Sequence, residues 1–232
     1  MRTFTHLLID ADNTLFDFDR AEHDAFSECC EELHLPSDDA VISLYSRIND
    51  EHWKMLEKGR ITKAELKYRR FEVFRQELGI DFDPEELSRL YIRNLSRKSY
   101  LFDGVYELCR DLSLAGYRMA IITNGIKSVQ ENRFNSSAIA GFFEYQFISD
   151  NIGYEKPSKE FFDFVMNRFE GINEKNALVI GDSLSSDIRG GVESGIPTCW
   201  YNPGRLPVPP DLKGRITCIV HSYQDIRKLL LP

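Results

Sequence analysis

Apolar positions along the chain repeat with two different periods, and the change of period divides it. Short runs rich in branched and aromatic residues predict strands at Phe4–Ile9, Arg118–Thr123, Tyr145–Ser149, Ala177–Gly181, Thr198–Tyr201 and Cys218–Val220. Between or after them, helical spacing predicts helices over residues 104–115, 127–135, 158–169, 185–194 and 223–230. Near-continuous apolar strands alternating with helices make a parallel sheet covered on both faces. Asp103 and Gly116 bracket the first of these helices as expected N-cap and as the residue that ends it.

Residues 17–100 read differently. They hold only Gly59 and Gly79 of the 14 glycines and only Pro36 and Pro84 of the nine prolines, so the structure breakers lie elsewhere. Start signals mark helices within the stretch: a capping box at Thr62-Lys63-Ala64-Glu65, and Asp83 followed by Pro84 at a first helical position. Helices are expected over residues 20–34, 38–58, 62–78 and 84–98, the third with an apolar stripe of Leu66, Phe71, Phe74 and Leu78. The expected fold class is therefore α/β, with a core built from residues 1–16 and 101–232 and interrupted after its first strand by an all-helical domain over 17–100.

Composition narrows the function classes. A hydrophobic share of 42% with 28% charged residues suits a packed globular protein, and 29 basic against 37 acidic residues give −8, a poor match to a nucleic acid polymer. No apolar run approaches the roughly 20 residues that span a bilayer, so no membrane partner is expected. The first residues lack the apolar core of a secretory signal, which reads as cytoplasmic. Five cysteines with neither CxxC spacing nor a His/Cys cluster read as free buried thiols.

Candidate chemistry gathers at the predicted strand ends, where ligands bind in open α/β sheets. The first strand runs into Asp10-Ala11-Asp12-Asn13-Thr14, the second into Thr123-Asn124-Gly125, and a later one into Gly181-Asp182-Ser183-Leu184-Ser185-Ser186-Asp187, with Glu155-Lys156-Pro157 between them. Each segment alone is an ordinary turn or helix start. Together they supply what a phosphate monoester requires of a carboxylate nucleophile: a metal ion and a lysine to offset charge, an acid for the leaving group, and hydroxyl and amide donors for the phosphoryl oxygens.

In this order, Asp10-x-Asp12-x-Thr14, Thr123, Lys156 and the pair Asp182 and Asp187 resemble the four signature motifs of the haloacid dehalogenase superfamily. The helical insertion resembles its type 1 cap, and the sheet its Rossmann-like core. The resemblance implies a Mg²⁺-dependent phosphatase in which Asp10 attacks phosphorus to form an aspartyl-phosphate, while Asp12 acts first as acid and then as base. It implies that Thr123 and Lys156 hold the phosphoryl group with help from Asn124. Asp10, Asp182 and the backbone carbonyl of Asp12 would bind the metal, and Asp187 would orient Lys156 or a metal-bound water. An acid at position 12 also argues against carbon–halogen hydrolysis, because halide leaves without a proton.

The run from Asp10 to Asp19, with Asn13 where many such phosphatases have Gly, resembles the pyrimidine 5′-nucleotidase group. This implies a small-molecule phosphate monoester as partner, a nucleotide such as UMP, dUMP or dTMP. Phe16 and Phe18 are candidates either to stack on a base or to pack the junction of the two domains. An acylneuraminate-9-phosphatase-like sugar phosphatase and a phosphomutase are the alternatives within the superfamily. A phosphorylatable binding module like a receiver domain is the non-enzyme alternative, and the order of the motifs argues against it. The five histidines are scattered without metal-ligand spacing, and Lys67-Tyr68-Arg69-Arg70 is expected to form a solvated helix face. Oligomeric state is left open.

Overall fold

The computed structural model describes residues 4–231. Along the chain run β1 (His6–Asp10), α1 (Phe18–Glu32), α2 (Asp39–Glu57), α3 (Lys63–Leu78), α4 (Pro84–Leu95), α5 (Val105–Leu114), β2 (Arg118–Thr123), α6 (Lys127–Asn135), β3 (Tyr145–Ile148), α7 (Ser149–Ile152), α8 (Lys159–Arg168), β4 (Ala177–Gly181), a π-helical turn (Leu184–Ile188), α9 (Arg189–Glu193), β5 (Thr198–Tyr201), β6 (Cys218–Val220) and α10 (Tyr223–Leu230). They form two compact units, one holding the chain up to Asp17 and from Leu101 onward, the other Phe18–Tyr100.

The first unit is built on a six-stranded, all-parallel sheet in the order β3-β2-β1-β4-β5-β6. β1 is central and buried along its whole length, because the pleat sends its apolar residues alternately to two cores. Leu7 and Ile9 pack with Leu108 of α5, Phe134 of α6, and Ile226 and Leu230 of α10, whereas Leu8 packs with Phe161, Phe162 and Val165 of α8 on the opposite face. The chain leaves β1 toward β2 and leaves β4 toward β5, so the carboxyl ends of the neighbouring strands β1 and β4 flank the point where strand order reverses.

The second unit is a four-helix assembly whose ends follow the sequence signals. Thr62 and Glu65 complete a reciprocal capping box at the start of α3, and Asp83 caps α4 with Pro84 as its first residue. The core is aromatic: Phe26 stacks on Tyr45 at 3.8 Å, and Phe71, Phe74 and Tyr91 pack around them. One expectation fails inside it. Arg70, placed by its basic neighbours on a solvated face, is 1% exposed. It donates to Asn49 Oδ1 at 2.6 Å, Asn49 donates to buried Glu22, and the guanidinium lies over the rings of Phe71 and Tyr91. A hydrogen-bonded acid on α1 and two aromatic faces thus offset the cost of burying the charge.

Two smaller expectations also change. Gly104 at φ 86°, not Asp103, is the N-cap of α5, because the chain enters that helix through a left-handed residue. The single helix expected over 185–194 is a π turn followed by α9, and the wider turn buries Asp187.

Close packing at α9 makes a stability prediction. A Cβ on Gly190 would lie 2.3 Å from the Phe162 ring and 2.9 Å from the backbone of Pro157, whereas one on Gly141 meets nothing within 4 Å. Gly190→Ala should cost about 1–3 kcal/mol through overpacking. Gly141→Ala should stay within about 0.5 kcal/mol. Urea unfolding of the intact chain, read as a midpoint shift at unchanged slope, compares the two.

Candidate active site

Three neighbouring strand ends bring the predicted residues together. Asp10 closes β1, Thr123 closes β2, and Asp182 follows β4. Lys156 reaches them from the segment before α8, and its ammonium, 1% exposed, donates to Asp10 Oδ1 at 2.6 Å, Asp187 Oδ1 at 2.6 Å and the carbonyl of Ile122 at 2.9 Å. An ammonium has three N–H groups, so this lysine is fully committed to the protein. It neutralises the carboxylates here, and contact with a phosphoryl oxygen requires it to exchange one of these partners.

Asp187 is fully buried, and its second oxygen accepts from the backbone N–H of Ser183 at 3.1 Å. Room for it depends on Gly181, where a Cβ would sit 2.2 Å from Asp187 Oδ2. Asp182 is fixed through Thr14, whose hydroxyl donates to Asp182 Oδ1 at 3.0 Å and accepts from the Asp182 N–H at 3.1 Å. The indole of Trp200 donates to the Asp182 carbonyl at 2.9 Å, and the Tyr223 hydroxyl donates to the carbonyl of Thr14. The first and last motifs are thereby tied directly to each other.

Oxygens of Asp10, Asp182 and Asp187 lie within 4.8 Å of one another. Burial, and then the charge of Asp187, push the Asp10 carboxyl well above its ordinary range against the opposing pull of Lys156. The same two causes raise Asp182 to about 7. Burial alone would lower the Lys156 ammonium, but Asp10 and Asp187 outweigh it and hold it above its usual value. Three carboxylates against one ammonium leave excess negative charge in an all-oxygen cluster, and a hard divalent cation such as Mg²⁺ fits that deficit. Asp10 and Asp182 are the pair to hold it, since both oxygens of Asp187 already accept hydrogen bonds from Lys156 and Ser183.

The remaining predicted residues divide. Thr123 is buried, and its hydroxyl accepts from the Gly125 N–H at 3.0 Å, which leaves the hydroxyl proton to donate to a ligand. Asn124 lies beside the lysine segment. Its amide nitrogen donates to the Lys156 carbonyl and its oxygen accepts from the Lys156 N–H, both at 2.8 Å, so it brackets the lysine's backbone. Of the two roles open to Phe16, stacking on a base or packing, the structure shows packing: it is 1% exposed, belongs to the sheet core and lies beneath the Arg133 guanidinium. Phe18 is half-buried at the start of α1, in the helical unit.

Asp12 projects beyond Asp10 from a tight turn in which Asn13 takes φ 58°, a left-handed value that Asn tolerates better than most side chains. Its carboxylate is held on both oxygens, Oδ1 by Arg133 Nη1 at 2.5 Å and Oδ2 by Gln130 Nε2 at 2.6 Å. Sequence reasoning missed both donors. Their spacing of three on one helix was the available signal, but nothing in the sequence aimed that face of α6 at Asp12.

Residues 7–201 match the model of the haloacid dehalogenase-like hydrolase family. The chain belongs to that family. It is 34% identical to the HAD-hydrolase YfnB of Bacillus subtilis over 99% of this chain and 94% of the relative, and 33% identical to the pyrimidine 5′-nucleotidase PynA of Streptococcus pneumoniae over 96% and 93%. The pyrimidine 5′-nucleotidase YjjG of Escherichia coli is 27% identical over 97% of this chain and 96% of its own. A crystal structure of YfnB bound to magnesium superposes with a TM-score of 0.92 at 31% identity, covering the whole of both chains. A dehalogenase structure at 19% identity and TM-score 0.75, covering 100% of this chain and 99% of that one, shares the fold. In this chain an α/β core with a parallel sheet carries the acidic cluster. Among the described residues, no helix is long and apolar enough to cross a membrane.

The raised carboxyls predict a pH dependence in chelator-containing buffer. The usual Asp value is about 4. With Asp182 raised to about 7, the folded state keeps a proton that the unfolded chain releases earlier. Its contribution to stability is therefore complete below about pH 4 and lost as pH rises to about 7, and Asp10 acts in the same direction. A divalent cation offsets the charge, so adding Mg²⁺ should raise Tm more at pH 7.5 than at pH 5. Equal shifts at both values would count against the cation assignment.

Proposed function

We propose that the protein is a Mg²⁺-dependent phosphomonoester hydrolase acting through an aspartyl-phosphate, and that its substrates are pyrimidine nucleoside monophosphates. The observation that carries the reaction class is the arrangement around Asp10: a strand-end carboxylate beside a buried ammonium and two further acids, with a second carboxylate two residues on.

Each step needs a group of this chain. An oxygen of Asp10 forms a bond to phosphorus while the bond from phosphorus to the leaving oxygen breaks, and Asp12 gives its proton to that oxygen. Water then attacks phosphorus and passes a proton to Asp12, the bond between Asp10 and phosphorus breaks, and inorganic phosphate leaves. Thr123 donates to a phosphoryl oxygen throughout. Lys156 keeps Asp10 charge-compensated, and Asn124 fixes the backbone that presents the lysine. Asp10, Asp182 and the Asp12 carbonyl that the family resemblance assigns would hold a Mg²⁺, which would offset the negative charge of the phosphate and the attacking carboxylate.

The substrate class is supported by relatives named pyrimidine 5′-nucleotidase that align over nearly the whole chain, the helical unit included.

Two experiments follow. Asp10→Asn, nearly isosteric, should reduce phosphate release from UMP by at least about 10³-fold with the fold unchanged by circular dichroism, and excess EDTA should abolish wild-type turnover. Near-wild-type rates in either case would remove the corresponding role. For specificity, kcat/KM for UMP, dUMP and dTMP should exceed that for AMP and GMP at matched Mg²⁺, because a pocket shaped to a single ring excludes the larger purine. Equal or better purine turnover would reject the pyrimidine assignment, and a preference for an acylneuraminate 9-phosphate would favour a sugar phosphatase.

A further inference from the structure

The geometry points to Gln130 and Arg133 of α6 as positioning residues that fix the plane of the Asp12 carboxylate for proton transfer. The inference rests on the phosphatase reading, in which Asp12 exchanges a proton with the leaving oxygen and with water.

Two donors three residues apart share one face of a helix, and here each takes a different oxygen of the same carboxylate. Held at both oxygens, the group loses rotation about its last torsion, whereas a single contact would leave that torsion free. Each carboxylate oxygen offers two acceptor sites, so the clamp uses one on each and leaves the others for the transferred proton and the reacting oxygen.

The donors themselves are anchored. The Arg133 side chain is fully buried and lies over the sealed ring of Phe16, with 5.1 Å between guanidinium carbon and ring centroid. Gln130 is buried against Gly125, where a Cβ would fall 2.1 Å from its amide nitrogen, so a side chain at 125 would displace the donor. Asp12 is the more accessible member, with its side chain 25% exposed. A buried platform thus presents a carboxylate that solvent and ligand can reach. Gly125 lies two residues after Thr123, so one turn both seats the Thr123 hydroxyl and leaves space for the clamp.

The two donors are also chemically unequal. Arginine only donates, and it holds Oδ1 in every protonation state. The neutral Gln130 amide donates through its nitrogen to a lone pair of Oδ2 that the transferred proton does not need, so Oδ2 keeps a partner on both sides of the proton transfer. The acid step requires Asp12 to lose its proton to the leaving oxygen, and the base step returns one from water, so a clamp tolerant of both forms serves both halves of the cycle.

The test uses the full chain with Mg²⁺ and two probes, UMP, whose alkoxide leaving group needs a proton, and p-nitrophenyl phosphate, whose phenolate does not. The value of kcat/KM reports on phosphoryl transfer to Asp10 and is the quantity to compare. Gln130→Leu and Arg133→Met should each lower kcat/KM for UMP by at least about tenfold and for p-nitrophenyl phosphate by less than about threefold, and Arg133→Lys should recover part of the loss. In an Asp12→Asn background the same substitutions should add nothing. If burial makes Arg133→Met unstable, Gln130→Leu and Arg133→Lys give the same reading. Equal losses on the two esters, or additive losses on Asp12→Asn, would overturn the positioning role while leaving the phosphatase reading intact. A wild-type protein inactive on both esters, or an Asp12→Asn variant with undiminished UMP turnover, would overturn that reading and this inference with it.

Discussion

The ammonium of Lys156 lies between carboxylates from distant parts of the chain, Asp10 at the end of β1 and Asp187 in the π turn after β4. Without it, two acids would face each other in a medium that screens them poorly. Removing one partner of a buried pair costs about 3–5 kcal/mol, so much of the surrounding detail reads as support for this one contact. Asn124 brackets the lysine's backbone, Ile122 supplies a carbonyl, and Gly181 leaves the space that Asp187 fills. Three carboxyl groups still share one ammonium, and burial followed by the charge of Asp187 raises both Asp10 and Asp182. A divalent cation would let both carboxyls ionise, which makes this oxygen cluster receptive to one.

Much of this was legible in the sequence because the α/β unit is built from locally encoded pieces. Five of the six expected strands match the observed ones to within a residue, since a strand buried on both faces must be apolar throughout and turn residues mark where it stops. The capping box of α3 and the Asp83-Pro84 start of α4 were equally readable, because a cap is a contact between residues three or fewer apart. Asp10, Thr123, Lys156, Asp182 and Asp187 were legible as strand-end or loop groups whose order alone suggested that they meet.

What was not legible depended on contacts across the fold. The polarity of Asn124 identified it as a donor but could not tell that both ends of its amide would bond the lysine's backbone. Phe16 read as an aromatic near the site, yet burial under Arg133 makes it part of the core. Arg70 sat in a basic run on α3, and only the opposing Asn49 on α2 and the aromatic rings explain why it turns inward. Gln130 and Arg133 were invisible for the same reason: their partner is more than a hundred residues away. Period and composition report which face of a helix is apolar, whereas a polar pair across the chain leaves no periodic trace.

The helical insertion shows how such a site coexists with a large excursion of the chain. The strands leading out and back are fastened inside the α/β unit, by a bridge between Phe16 and Leu101 and by the Phe102 N–H donating to the Leu15 carbonyl at 3.2 Å. The chain is therefore closed at the base of the insertion, and the sheet's register does not depend on what lies between residues 18 and 100. Conversely, the inserted helices carry their own core, with Glu22, Asn49 and Arg70 linking three of them and the aromatic rings filling the rest. Two units with separate cores can diverge independently in sequence, the α/β unit around its acidic cluster and the helical unit around its aromatic core. That division leaves the acidic cluster wholly on the strand ends and turns of the α/β unit, where sequence order makes it readable.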